Sequence, residues 1–171
     1  MNQYKTLFEQ QSYQDALDYY QATLAHFDLP VWDYVILTAS NEAQAEGYEA
    51  QISYRQQKGQ LPSATHFAVI PDLNGQRIGS GGATLSAIRY VHQHAGTFAS
   101  KRILCIHSGG DSKRVPQYSA CGKLFSPVPR QLPDGRRSTL FDEFMIGMST
   151  VVSRISEGML VCSGDVLLLF N

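Results

Sequence analysis

Cysteine is scarce in this 171-residue chain: Cys105, Cys121 and Cys162 are odd in number and far apart. That spacing excludes both a disulfide framework and a Cys-x-x-Cys metal site, and points to a reducing compartment. The first residues, Met1-Asn2-Gln3-Tyr4-Lys5, run into a Gln-rich polar stretch without the apolar core of a secretory signal. Nor does any run approach the roughly 20 apolar residues of a membrane span. A soluble cytoplasmic protein, not attached to a membrane, is expected. Charge of one sign is also lacking, with Lys plus Arg at 14 and Asp plus Glu at 15, which argues against a nucleic-acid binder. Repeats and low-complexity tracts are absent.

What is present is apolar and aromatic material, 43% and 11% of the residues, enough for one substantial core. The charge is unevenly spread. Residues 100–137 hold eight Lys or Arg against Asp111 and Asp134, a net of +6, which leaves −7 for the remainder.

Periodicity orders the elements. Leu17, Tyr20, Leu24 and Phe27 fall on one face of a helix expected over 13–27 and closed by Pro30. Residues 34–38, 66–70, 102–107 and 159–163 read as strands. Helices are expected over 41–58, where Asn41 and Gln44 suggest a capping box, and after Gly82, with Leu85, Ile88 and Val91 in register. A further helix starts near Ser138, with Thr139 and Asp142 as capping box and Leu140, Phe144, Met148, Val151 and Ile155 as its apolar face. Trp32 and the tyrosines near the first helix are expected in the core. Strands alternating with helices predict a parallel α/β architecture.

Residues 108–137 read as one long irregular segment with four of the seven prolines, too long for a passive connection. At its start a strand runs directly into Gly109-Gly110-Asp111-Ser112-Lys113-Arg114. Glycine lets backbone N–H groups approach an anion at the carboxyl edge of a sheet, and Arg114 and Lys123 add positive charge. A nucleoside triphosphate suits such a loop. The pair Gly109-Gly110 alone is equally a plain turn; the charge around it favours phosphate. Two familiar motifs fail: Gly122-Lys123 is followed by Leu124, not the Ser or Thr of a P-loop, and Gly79-Ser80-Gly81-Gly82 lacks the third glycine of a dinucleotide fingerprint. Gly79, Ser80, Gly81 and Gly82 are either a second phosphate or base contact or the close entry of a helix into the sheet. Asp165, after Ser163-Gly164, is either a Mg²⁺ ligand that shares the ion with substrate phosphates or a turn former. Asp72 and Asp111 are poorer metal candidates, and His107 is read mainly as a satisfied core histidine that could also orient the loop.

The run Ile106-His107-Ser108-Gly109-Gly110-Asp111-Ser112-Lys113-Arg114-Val115-Pro116 with Ala120-Cys121-Gly122-Lys123-Leu124-Phe125 resembles the GDP-fucose pyrophosphorylase (fucose-1-phosphate guanylyltransferase) family, some of whose members are fused to a fucokinase. The likeness extends to the segment from Trp32 to Ala39, to Arg77-Ile78-Gly79-Ser80-Gly81-Gly82-Ala83-Thr84-Leu85 and to Val161-Cys162-Ser163-Gly164-Asp165. It implies a Rossmann-like, mostly parallel nucleotidyltransferase sheet, truncated here, in residues 32–171, behind an N-terminal helical segment at 1–31. It further implies GTP and L-fucose 1-phosphate as substrates, Mg²⁺ as cofactor, Gly109, Gly110, Arg114 and Lys123 as the grip on phosphates, and Asp165 as the metal ligand. Complete members are far longer, so a fragment that is inactive alone is expected. Its edge at 159–163 and apolar run at 166–170 would favour self-association. A different nucleotide-sugar pyrophosphorylase, a nucleotide-binding module without catalysis and a structural half-domain are the competing readings.

Overall fold

The computed structural model describes residues 3–26, 28–72, 76–108 and 122–166. Four strands, β1 (Tyr34–Ala39), β2 (His66–Pro71), β3 (Arg102–His107) and β6 (Gly158–Ser163), form a parallel sheet in the order β2-β1-β3-β6. A short antiparallel hairpin, β4 (Pro127–Gln131) with β5 (Arg137–Thr139), stands apart from it. The helices are α1 (Gln3–Ala25), α2 (Glu42–Gln57), α3 (Gly79–Ala95) and α4 (Leu140–Ser149). The expected mixed α/β, Rossmann-like fold with an N-terminal helix is the one observed.

Both faces of the sheet are covered, which is why its strands read as unbroken apolar runs. Val35, Leu37, Leu104 and Ile106 point to the side of α2, α4 and α1, in one core with Tyr48, Ile52, Phe144 and Leu17. Ile36, Ile103 and Cys105 point the other way, against Ala87 and Val91 of α3. Because β1 lies between β2 and β3, the chain leaves β1 toward one side and returns past it to the other. That reversal opens a crevice at the carboxyl ends of β1 and β3, where doubly wound sheets take their ligands.

Several expectations need correction. Helix α1 begins at Gln3, ten residues before the expected start at residue 13, and it ends at Ala25. In α3 the buried stripe is Ala83, Ala87 and Val91, at i, i+4 and i+8, while Leu85 is 66% exposed. Small residues let α3 lie close to the sheet, so Leu85, midway between two of them, is turned to solvent. Residues 108–137 are not irregular throughout, since they contain a 3₁₀ turn at Lys123–Phe125, strand β4 and the first residue of β5. The fourth helix stops at Ser149, before a separate 3₁₀ turn at Val152–Arg154. It is also buried all round, from Phe141 to Ser149, because the sheet covers one side and α1 and the hairpin the rest. Finally, Asn41 does accept from the Gln44 N–H, but the Gln44 side chain reaches back to Ser40 rather than to Asn41.

The Thr139–Asp142 capping box is present, and it does more than start a helix. Asp142 Oδ2 accepts from the Thr139 N–H at 2.9 Å and its hydroxyl at 2.7 Å. The same carboxylate takes Arg55 Nε of α2 at 3.0 Å and Arg136 of the hairpin at 2.9 Å. The Arg55 guanidinium lies over the rings of Phe125 and Phe141, 5.1 and 5.7 Å from their centroids. Neighbouring Glu143, 2% exposed, accepts from Ser138 Oγ at 2.6 Å and from the Tyr13 hydroxyl at 3.3 Å, which binds α1 to the same helix end. Trp32 is buried as expected, donating from its indole to the Met148 carbonyl at 3.1 Å.

Burial alone would raise the Asp142 carboxyl, but the hydrogen bond and charge of Arg55, with Thr139 and Arg136, outweigh it and hold the group below its ordinary range. A depressed carboxyl contributes stability that is complete above its unfolded value, about 4, and is lost as pH falls through the folded value. Thermal unfolding of the chain should therefore shift to lower temperature below about pH 4. Asp142→Asn, which leaves the buried Arg55 and the half-buried Arg136 short of a partner, should cost roughly 3 kcal/mol in urea unfolding at pH 7, and an unchanged midpoint would refute this role.

Candidate functional site

The crevice between β1 and β3 contains a cleft of about 340 Å³ lined by Thr38, Ser40, Asp72, Arg77, Gly79, Ser80, Ala83 and His107. Parallel register sets Thr38 beside His107 at the last rungs of the two strands, both on the α3 side. Asp72 follows β2 and is held to the sheet by its N–H, which donates to the Ala39 carbonyl at 2.8 Å. Three strand ends and one helix start thus converge on the cleft.

The start of α3 is unusual. Ile78, its N-cap, offers no side-chain hydrogen bond, and Gly79 has φ +72°, a left-handed conformation that disfavours other residues. Gly82 answers to packing instead, since a Cβ there would meet Ile78 Cβ at 2.8 Å. Of the four candidates in this stretch, Gly79 and Ser80 line the cleft, while Gly81 and Gly82 lie within the first turn of the helix.

His107 is the centre of a hydrogen-bond relay across the crevice. Its Nε2 is 2.9 Å from Thr84 Oγ1, whose hydroxyl donates to the Ser80 carbonyl at 2.9 Å, so Thr84 must accept from Nε2–H. Its Nδ1 then serves as acceptor for the Thr38 hydroxyl at 3.4 Å, and Thr38 Oγ1 accepts from the Ser108 N–H at 3.3 Å. The relay requires a neutral, Nε2-protonated imidazole. Burial lowers the His107 pKa, only partly opposed by the charge of Asp72, in agreement with that state. Asp72 is itself raised by burial, against the Ile78 backbone hydrogen bond and the charges of Arg77 and His107.

Ser108 closes β3 under tight restraint. Its hydroxyl donates to the Thr38 carbonyl at 2.7 Å and its carbonyl accepts from the Tyr48 hydroxyl at 3.2 Å. On the far side Gly164 N–H donates to the His107 carbonyl at 2.8 Å, and a Cβ at Gly164 would stand 3.0 Å from that oxygen. The turn after β6 therefore sits directly against the end of β3 and brings the exposed Asp165 to the same edge, where it accepts from Ser163 Oγ at 2.5 Å. Lys123 opens the 3₁₀ turn whose next residues, Leu124 and Phe125, are buried, and it takes part in none of the described ion pairs. Gly109, Gly110, Asp111, Ser112 and Arg114 lie outside the described residues.

Sequence reasoning left Thr38, Ser40, Thr84 and Tyr48 unassigned and ranked Asp72 low. Only the position of Thr38 and Ser40 at a strand's carboxyl end could have marked them. Cys105 and Cys162 are free and buried, which raises both thiol pKa values. Among the described residues no group of three or more His, Cys, Asp or Glu could hold a metal ion, and no helix is long and apolar enough to cross a membrane.

Comparison with known proteins adds to this geometry. Residues 96–171 match the family model of the Fucose pyrophosphorylase domain. The chain is 34% identical over 169 residues to the Bifunctional fucokinase/GDP-fucose pyrophosphorylase of Arabidopsis thaliana, covering 84% of this chain and 16% of that protein. It is 40% identical over 99 residues to the Fucose-1-phosphate guanylyltransferase of Mus musculus, covering 57% and 17%. An L-fucokinase/L-fucose-1-P guanylyltransferase of Bacteroides fragilis is 40% identical over 73 residues, covering 38% and 8%. The chain thus spans less than a fifth of the length of these relatives. No solved structure matches it.

The neutral relay has a measurable signature. Nitrogen NMR of the imidazole should find His107 as the Nε2–H tautomer at pH 7, titrating below the ordinary histidine value of about 6.5. As pH falls below about 6.5 the unfolded chain takes up the proton first, so His107 should contribute a loss of stability with acidification there. A cationic His107 at pH 7 would contradict the relay.

Proposed function

Because residues 96–171 match the family model of the Fucose pyrophosphorylase domain, we propose that this chain supplies the nucleotide-binding portion of a fucose-1-phosphate guanylyltransferase. An oxygen of L-fucose 1-phosphate attacks the α-phosphorus of GTP, the bond to the β-phosphate oxygen breaks, and GDP-L-fucose and pyrophosphate result. The observation that carries the reading is a nucleoside-sized cleft beside the Ser108 strand end, in a chain with this kinship whose Gly122, just before Lys123, packs on the Tyr48 phenol bonded to Ser108. Residues 32–171 hold the nucleotidyltransferase sheet, and 1–31 supply the helix that buttresses α4.

In this reading the guanosine occupies the cleft beside Thr38, Asp72 and Ser80, and its phosphates extend toward the end of β3. Gly109 and Gly110 offer backbone N–H groups there, with Asp111 and Ser112 in the same loop. Arg114 and Lys123 offset the charge of two anionic reactants and of the departing pyrophosphate. The donor set fits Mg²⁺: one carboxylate, Asp165, at the strand edge, with substrate phosphates filling the remaining positions. When bound there, the ion would polarise phosphoryl oxygens. Asp165 orients through Ser163, and the neutral His107 keeps the strand end in place without adding charge.

Free buried thiols support a reducing, cytoplasmic site of action. The β6 edge, where Val161 is 44% exposed and Val166 is exposed too, supports self-association of these 171 residues. Light scattering should then give a mass above 19.0 kDa at high concentration, and a strict monomer would remove that part of the reading.

The reading itself is tested by pyrophosphate release from GTP and L-fucose 1-phosphate in the active protein that carries these residues. Lys123→Ala should lower turnover at least about a hundredfold, the scale of losing one transition-state donor. Asp165→Asn should raise the Mg²⁺ concentration required for half-maximal rate. Near-normal turnover of Lys123→Ala would overturn the assignment.

A further inference from the structure

Tyr48 of α2 is fully buried and is not among the residues that line the cleft. Its ring packs against Phe125, with centroids 5.2 Å apart, and its hydroxyl donates to the Ser108 carbonyl at 3.2 Å. Gly122 presses on the same phenol from another direction. A Cβ built on Gly122 would lie 2.6 Å from Tyr48 Cε1 and Cζ and would overlap the hydroxyl oxygen. Gly122 also has φ +66°, so glycine is required there twice over, by conformation and by the space the phenol takes.

One side chain therefore stands between the residue that ends β3 and the residue that precedes Lys123. Both sides of this spacer are rigid. Ser108 is fixed to Thr38 through its N–H and its hydroxyl, and Gly164 packs behind it. Lys123 is fixed through Leu124 and Phe125, both buried, and through its carbonyl, which accepts from the Ser126 N–H at 2.9 Å. A phenylalanine would fill most of the same volume. It would leave the Ser108 carbonyl short of its donor and allow Gly122 to settle inward by the space of one oxygen atom.

We propose that Tyr48 is a positioning residue, whose phenol sets the separation between the carboxyl end of β3 and Lys123 so that the ammonium group meets phosphates held at that strand end. The inference rests on the guanylyltransferase reading given above. It adds a residue remote in sequence, buried and outside the lining of the cleft, that acts through Lys123.

A double-mutant cycle separates positioning from general stability. In the active protein, Tyr48→Phe should keep its unfolding midpoint near that of the parent and its KM for GTP within about twofold, while kcat falls about tenfold. In a Lys123→Ala background the same change should lower kcat by less than about twofold, because the group it positions is gone. Placing 4-aminophenylalanine at position 48 restores a donor on an intact ring and should recover kcat to within about threefold of the parent, even if the phenylalanine variant folds poorly. A parental kcat for Tyr48→Phe, an undiminished effect in the Lys123→Ala background, or failure of the amino analogue to recover activity would each overturn the role of Tyr48. Near-normal turnover of Lys123→Ala alone would instead sink the guanylyltransferase reading on which it rests.

Discussion

The carboxylate of Asp142, 4% exposed, is the point where α2, the β4–β5 hairpin and α4 are fastened to one another. Its desolvation is offset by two guanidinium groups and by the hydroxyl and N–H of Thr139, so each partner depends on the others being in place. Arg55 contributes one more link, because its guanidinium plane covers Phe125 and Phe141. Phe125 in turn lies two residues after Lys123 and packs on Tyr48. A chain of contacts thus leads from a buried ion pair to the carboxyl edge of the sheet.

At that edge the parallel sheet imposes the arrangement. Strands that run the same way deliver all their carboxyl ends to one side, and the reversal at β1 leaves a gap between β1 and β3 that no crossover helix fills. The polar residues Thr38, Ser40, Asp72, His107 and Ser108 gather around the gap, while the residues just before them on β1 and β3 are buried and apolar. Neutral His107 suits the phosphate-receiving role proposed for this edge. It bridges Thr38 and Thr84 without itself becoming a competing cation.

Much of the fold was legible in the chain. Alternating apolar strands and helices fix a parallel α/β class, because only a sheet covered on both faces gives four strands of nearly continuous apolar residues. The Thr139–Asp142 capping box and the buried Trp32 were also readable, being local or strongly apolar features. Amphipathic spacing failed where its assumption failed. Leu85 is exposed because α3 buries its small residues, and α4 has no exposed face for a stripe to be defined against.

The sequence by itself therefore determined the class of fold, the order of its elements and the motifs that align this chain with its relatives. Only the tertiary structure decided that Thr38 stands beside His107, that Thr84 accepts a hydrogen bond from the His107 Nε2–H, and that Arg55 and Arg136 share one carboxylate. It alone placed Tyr48 between Ser108 and Gly122, 60 residues from the first of them. The physical reason is range: propensity, capping and periodicity act over a few residues, whereas strand order and register, set by burial of the whole sheet, choose which distant polar groups meet.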